Sequence, residues 1–296
     1  MAEINLALLP APNVLEDISF EQILADMKAA AVAVMPELEP VLALESEPAT
    51  KVLQVCATFV MLTRARVNDA AKAVMVAYAI GSDLEQLAAL YGVTRLLISP
   101  ANPSAVPPIA AVYETDDALR ARIVMAPEAF SSAGPVAGYE FHALSASGQV
   151  RDVSVTSPSP GAVQVVIQST DAGGGVPDID LLDVVEAALS AETVRPLCDE
   201  VSVLPVAVVT YSVTASIEVQ AGPDPAVVLS LAQAALGTYT DACNRIGRAV
   251  RLSGIYAALH QQGVMQVNLV APLADIEPDG LHTAYCSVAT VTLVTP

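Results

Sequence analysis

LESEPATKVLQVCATFVMLTRARVNDAAKAVMVAYAIGSDLEQLAALYGVTR, residues 44–95, holds the longest unbroken helical pattern in the chain. Pro48 suits the first turn of a helix, where its missing N–H is not needed. From 49 to 79 no glycine or proline interrupts. Leu53, Cys56, Val60, Val67 and Val74 mark an apolar stripe, with Lys51, Arg64, Arg66, Asp69 and Lys72 as polar positions. Such a helix at 1.5 Å per residue would be a rod of roughly 45 Å, far beyond the usual ~11 to 12 residues. Gly81 is the expected stop. Ser82 and Glu85 read as a capping box for a second helix over 83–90, stopped by Gly92.

Outward from this stretch, residues 1–18 read as an extended arm punctuated by Pro10 and Pro12. Ser19 and Gln22 form another capping box, followed by Phe20, Ile23, Leu24 and Met27 on one face. Pro36 and Pro40 end that helix. Residues 19–98 are therefore a helical region, and the Pro-rich residues 99–116 a linker or surface loop.

Beyond 116 the texture becomes α/β. Asp116 or Asp117 caps a helix containing Leu119 and Ile123, and Gly134-Pro135 precedes another at 136–146. Strands follow through Val150, Val153 and Val155 and back through Val163, Val165 and Ile167, turned by SPSPG at 157–161. Gly173-Gly174-Gly175 reads as a flexible hairpin-to-helix connection before the helix opened by Pro177-Asp178. Strands are expected at 200–204 and 208–220, a helix from Pro223-Asp224 to about 242, a short strand at 248–252 and a helix at 254–262. The last strands are at 264–270 and 285–294. Helix–Gly–strand–Pro–strand occurs after Gly138 and again after Gly254, in a different order relative to its neighbours. The second half reads as a permuted version of the first. The expected fold is α+β: an N-terminal helical region, then two small α/β sandwich modules at 117–205 and 206–296, with mostly antiparallel sheets.

Hydrophobic residues make up 54% and charged residues only 15%, so the chain can bury a large core and leaves apolar surface for a partner. The net charge of −19 disfavours nucleic acid or an anionic membrane as partner. No apolar run is long enough for a transmembrane helix, and the acidic start lacks the features of a secretory signal, so folding in the cytosol is expected. Cys56, Cys198, Cys243 and Cys286 are scattered and read as small buried hydrophobes.

No constellation carries chemistry. Asp116-Asp117 and the pair Glu45 and Glu47 read as caps and solvated charges. His142, His260 and His282 lie at no metal-ligand spacing, and neither GxSxG nor a phosphate loop is present. No catalytic, cofactor or metal site is expected. Arg64 and Arg66 suit carboxylates of a partner, or intrahelical pairing with Asp69. A small cytosolic hydrolase-like enzyme whose site is assembled only in the fold, and an adaptor of another large complex, remain as alternatives.

LESEPATKVLQ, RARVNDAAKAVMVAYAIGSDLEQLAALYGVTR, DDALRARI, AGPVAGYEFHALSA, VRDVSVTSPSPGAVQVVI and GVMQVNLVAPLADI resemble, in order and spacing, successive landmarks of the baseplate J-like family of contractile-tailed phages and tail-like particles. The resemblance covers residues 20–294. It implies a structural component of the baseplate wedge, assembled in the host cytoplasm, ringing the hub and spike and relaying the contraction trigger to the sheath. It also implies as partners other copies of the chain, a tail protein I-like wedge protein and a sheath-initiator-like protein, with no nucleic acid and no membrane. The long helix is the expected intermolecular surface, through Leu53, Phe59, Val60, Arg64, Arg66, Val67 and Val74.

Overall fold

The computed structural model describes residues 9–10, 12–130, 134–220, 222 and 224–294. The expected arm at 1–18 therefore lies partly outside the described residues. The chain divides into two compact units, Met1–Thr94 and Arg95–Pro296, and its class is α+β.

In the first unit, α1 (Phe20–Val34) begins where the Ser19 hydroxyl accepts the Gln22 N–H at 3.3 Å. The other half of the expected capping box is absent, because the Gln22 side chain donates to Asp26 instead. A 3₁₀ turn (Pro36–Leu38) and the one-turn α2 (Glu39–Leu42) lead to α3 (Pro48–Ala73), with Pro48 in its first turn. α3 packs against α1 and α2; its buried residues are Thr50 and Ala57, and that of α1 is Ile23.

α3 ends at Ala73, short of the expected 79: Val74 leaves helical geometry at φ −97°, ψ 7°. Nothing at 74–79 forbids a helix. The β-branched Val74 and Val76 favour one only weakly, and the turn after them carries Ala79 into the interior at 1% exposure. α4 (Gly81–Ala89) starts at Gly81 with no side-chain cap, so Ser82 and Glu85 do not form the expected box. Its end is a Schellman motif. The Val93 N–H donates to the Ala88 carbonyl and the Gly92 N–H to Ala89, with Gly92 at φ +71°.

The second unit opens with a hairpin, β1 (Leu97–Ser99) against β2 (Val112–Tyr113), extended by a bridge between Asn102 and Ile109. The Pro-rich stretch is thus tied to itself rather than slack. α5 (Asp116–Met125) is capped by Thr115, not by an aspartate; Asp116 pairs with Arg95 and Asp117 with Arg120. Beneath lies an ion pair the sequence did not reveal. Glu114 and Arg122, both nearly buried, bond through two atoms each, and Glu114 also accepts the Leu96 N–H. This fastens the hairpin to α5.

The first module comprises α6 (Val136–Ala146), β3 (Val150–Ser159), β4 (Ala162–Ser169), α7 (Ile179–Leu189) and β5 (Glu200–Pro205). The sheet order is β3-β4-β5, with β3/β4 antiparallel and β4/β5 parallel. The alternation of Val165 and Ile167 turns both towards Tyr139, Ala143, Leu181, Val185 and Leu189 of the two helices.

The second module comprises β6 (Ala207–Val219), α8 (Pro225–Cys243), α9 (Leu252–Leu259), β7 (Val264–Ala271) and β8 (His282–Val294), in the order β7-β6-β8. Again the central strand is antiparallel to one neighbour and parallel to the other. Tyr211, Val213, Ala215 and Ile217 face α8 and α9. Three strand pairings in the unit are antiparallel and two parallel. The helix-strand unit α6–β3 precedes β4–α7, whereas its counterpart α9–β7 follows β6–α8, so the modules are permuted. The pairing differs from the one read from the sequence: β4 corresponds to the central β6, and β8, expected as its counterpart, is an edge strand like β5. Residues 248–252 contribute only the bridge Val250–Ile276 rather than the expected strand.

β5 and β6 are separated by Val206 alone. The Val206 N–H donates to Ile167 of the first sheet and the Ala207 N–H to Leu281, beside β8 of the second. A seam of polar groups surrounds this crossing. Gln168 Nε2 donates to the Gly174 carbonyl and to Asn244 Oδ1 at 2.8 Å, and Thr283 Oγ1 donates to the same Asn244 oxygen. Asp152 accepts the Ile246 N–H at 2.8 Å, Arg245 donates to the Arg151 carbonyl, and Arg151 pairs with Asp241.

Gly173-Gly174-Gly175 belongs to this seam and is not the flexible loop expected. All three have positive φ, and Gly174 and Gly175 are buried. A Cβ on Gly174 would lie 2.7 Å from Val208, and one on Gly175 2.4 Å from the Ser169 carbonyl, while Gly173 faces open space. Gly173→Ala is therefore expected to cost only backbone strain, about 1–2 kcal/mol. Gly174→Ala and Gly175→Ala should cost clearly more, read as urea midpoints of the three variants side by side.

Burial is the main cause holding the Asp152 carboxyl above its ordinary 3.8, opposed by the Ile246 N–H and the Arg245 guanidinium. A carboxyl so raised binds its proton more tightly folded than unfolded. Its stabilising contribution is full below 3.8 and is lost as pH rises through the raised value. Relative to Asp152→Asn, the wild type should lose stability as pH climbs from 3.8 through that window. Unfolding midpoints of both proteins across a pH series check this.

Candidate interaction surface

α3 has two faces of similar polarity and opposite fates. Thr50, Ala57 and Met61 share one face, which carries the helix's two buried residues, Thr50 and Ala57. Val52, Val55, Phe59 and Leu62, spaced by three, four and three residues, lie on the opposite side, each more than half exposed. Phe59 is 66% exposed. The stripe runs on to Arg66, a span of roughly 21 Å at 1.5 Å per residue. Ordinary surface helices turn polar on the outside; this one does not.

The residues expected from sequence fall unevenly about this stripe. Phe59 is in it, and Val67 and Val74 flank it as exposed side chains, Val74 already beyond the helix end. Leu53 and Val60 are half-buried, between the two faces. Val52, Val55 and Leu62 were missed. Their signal was present as a second apolar period a third of a turn away from the one read, and only the position of α1 shows which period is covered.

Arg64 does not pair along the helix with Asp69. It approaches Glu16 at 3.8 Å, while Asn68 accepts the Glu16 N–H and donates to its carbonyl. The segment around Glu16 is thereby strapped to α3. Arg66 is exposed and makes no ion pair or hydrogen bond with the described residues. With Lys51, Arg64, Arg66 and Lys72 against Asp69 alone, α3 is a positive element in a chain of net charge −19.

Groups with shifted acidity are scattered rather than convergent. Burial, then the bond to Asp199, raises the Tyr139 hydroxyl; burial raises Tyr211 and lowers His142. His282 pairs with Asp279, and Arg251 with Asp275 and Glu277. Each has a structural reason. Among the described residues no group of three or more His, Cys, Asp or Glu is placed to hold a metal, and no helix is long and apolar enough to cross a membrane. The cysteines are free, and the expectation that all four are buried holds only for Cys243: Cys56 and Cys198 are exposed and Cys286 is intermediate.

An extended helix with an uncovered apolar face, without convergent chemistry, describes a part of an assembly. Residues 45–102 match the Baseplate J-like N-terminal domain and 131–205 the Baseplate J-like central domain. The chain is 44% identical over 292 residues to Baseplate protein J of Escherichia phage P2, covering 97% of this chain and 96% of that protein. The chain belongs to the baseplate J-like family. It is a structural protein of a phage tail baseplate. The N-terminal domain match takes in all of α3 and α4, and the central domain match ends at Pro205, on the crossing between modules.

Removing an exposed apolar side chain leaves no cavity. Phe59→Ser is expected to change the stability of the isolated chain by no more than about 0.5 kcal/mol. Ala57→Leu, at a fully buried position, should overpack its surroundings at a cost of about 1–3 kcal/mol. Thermal and urea unfolding of the two variants test this contrast.

Proposed function

We propose that α3 is the surface by which this chain is built into the baseplate wedge, packing in a helical bundle with other copies of itself and a tail protein I-like partner. The exposed row Val52, Val55, Phe59 and Leu62 carries this reading. Burying such a row against a partner helix gains about 25 cal/mol per Å² of apolar area. The exposed cation Arg66, which continues the row, suits an acidic partner face. Leu53, Val60, Arg64, Val67 and Val74 would then border the contact.

In this reading the helical region at 19–98 and the modules at 117–205 and 206–296 have separate tasks, joined through 99–116. The helical region fastens the wedge, and the α/β modules link wedges into the ring around hub and spike. They relay the contraction trigger towards the sheath and a sheath-initiator-like protein. Assembly takes place in the host cytoplasm, without nucleic acid or membrane as partner. A seam as tightly bonded as that between the two modules favours transmission of movement as a unit.

Phe59→Asp with Leu62→Asp tests the proposal. Both sites are exposed, so the variant chain is expected to fold and accumulate, yet to be missing from purified tails when it replaces the wild type. Tails carrying the variant at normal yield would overturn it.

A further inference from the structure

We propose that the C-terminal half of β8, residues 288–294, is a strand-pairing edge that joins two copies of this chain about a twofold axis. This deepens the reading above by naming the edge at which copies meet. Sheet edges expose unpaired N–H and C=O groups, and proteins blunt them with charges, proline, short strands or bulges. Three of the four edges in the two larger sheets are blunted so. β3 carries Arg151, Asp152 and Pro158; β5 has six residues, from Glu200 to Pro205; β7 has eight, with register shifts in its pairing, and is followed by Pro272. β8 has thirteen residues, with no proline and no Asp, Glu, Lys or Arg; the one register shift in its pairing with β6 falls at Ser287, before the segment 288–294. Its start is covered by the bridge from Ile246 to Thr283. Among the described residues, 288–294 pair on one side only, with β6.

Charge and sequence both point to a second copy as the occupant. Two chains of net charge −19 repel wherever their acidic surfaces meet, and β8 offers a contact without formal charge. The segment also reads nearly the same in both directions: Val288-Ala289-Thr290-Val291-Thr292-Leu293-Val294. Antiparallel pairing about Val291 sets Val288 opposite Val294, Thr290 opposite Thr292, and small Ala289 opposite large Leu293. These are isologous contacts, as a twofold interface requires, and Val–Val and Thr–Thr are favourable cross-strand pairs. Val288, Thr290, Thr292 and Val294 are exposed, whereas Val291 is buried towards α8. The Val291 carbonyl receives one long bond, 3.5 Å, from Gln233.

Sedimentation equilibrium of the full chain carrying Phe59→Asp and Leu62→Asp excludes association through α3, so failure here and failure of the α3 proposal are distinguishable. That chain is expected to dimerise. Adding Thr290→Lys and Thr292→Lys places like charges opposite each other twice, and should weaken the dimer roughly tenfold or more. Thr290→Glu with Thr292→Lys places opposite charges across the same twofold, and should restore it. Circular dichroism checks that each variant is folded. Should the double-lysine variant not fold, hydrogen exchange at 288–294 in the parent chain decides: protection that falls on dilution supports the edge, and protection independent of concentration overturns it. A parent chain that stays monomeric, a dimer indifferent to the two lysines, or a folded Glu/Lys variant that remains monomeric would each overturn the proposal.

Discussion

Two adjacent backbone N–H groups, those of Val206 and Ala207, hold the larger unit together by bonding into different sheets. Successive residues of a strand direct their backbone groups to opposite sides. A strand that leaves one sheet and enters another without a loop can therefore lie between the two, with β4 on one side and β8 on the other. No hinge separates them. Because the crossing is continuous main chain, the register of one module dictates that of the other: β4 against β5 at Ile167 and Pro205, then β6 against β8 at Ala207 and His282.

That geometry makes the polar seam necessary. Gln168 lies on the face of β4 away from α6 and α7 and is fully buried by the second module. A buried amide without partners is unfavourable by several kcal/mol. Asn244, Thr283 and the Gly174 carbonyl accept from its Nε2, while its Oε1 is buried with no partner among the described residues. The Gly174 carbonyl reaches Gln168 only because the glycine triplet coils at positive φ with no Cβ between it and Val208. A stretch that reads as slack is a fitted part of the joint. The same holds for the Pro-rich hairpin, whose tie to α5 is the buried pair of Glu114 and Arg122.

The smaller unit follows a different principle. Its helices are specified by local signals that work in isolation: Ser19 capping α1, Pro48 opening α3, Gly92 closing α4. Its candidate interface is harder to read, because α3 is apolar on more than one face. Sequence periodicity identifies apolar rows but not which of them is covered, and the row through Leu53 and Val60 proved to lie at the margin. The exposed row, Val52, Val55, Phe59 and Leu62, is defined by where α1 stops covering the helix.

Sequence by itself determined the α+β class, the longer helices and the strands of the two larger sheets, and the ordered landmarks of the baseplate J-like family, but not the hairpin β1–β2 or the one-turn α2. These depend on local capping, on periods of 3.6 and 2, and on residue order, all carried along the chain. Tertiary structure alone decided the end of α3 at Ala73, the partners of Gln168 and Asp152, and the merging of β5 with β6. The seam contacts that cross from one module to the other, such as Gln168 with Asn244 and Thr283 and Asp152 with Ile246, join residues 76 to 115 positions apart, a separation over which no local pattern carries information.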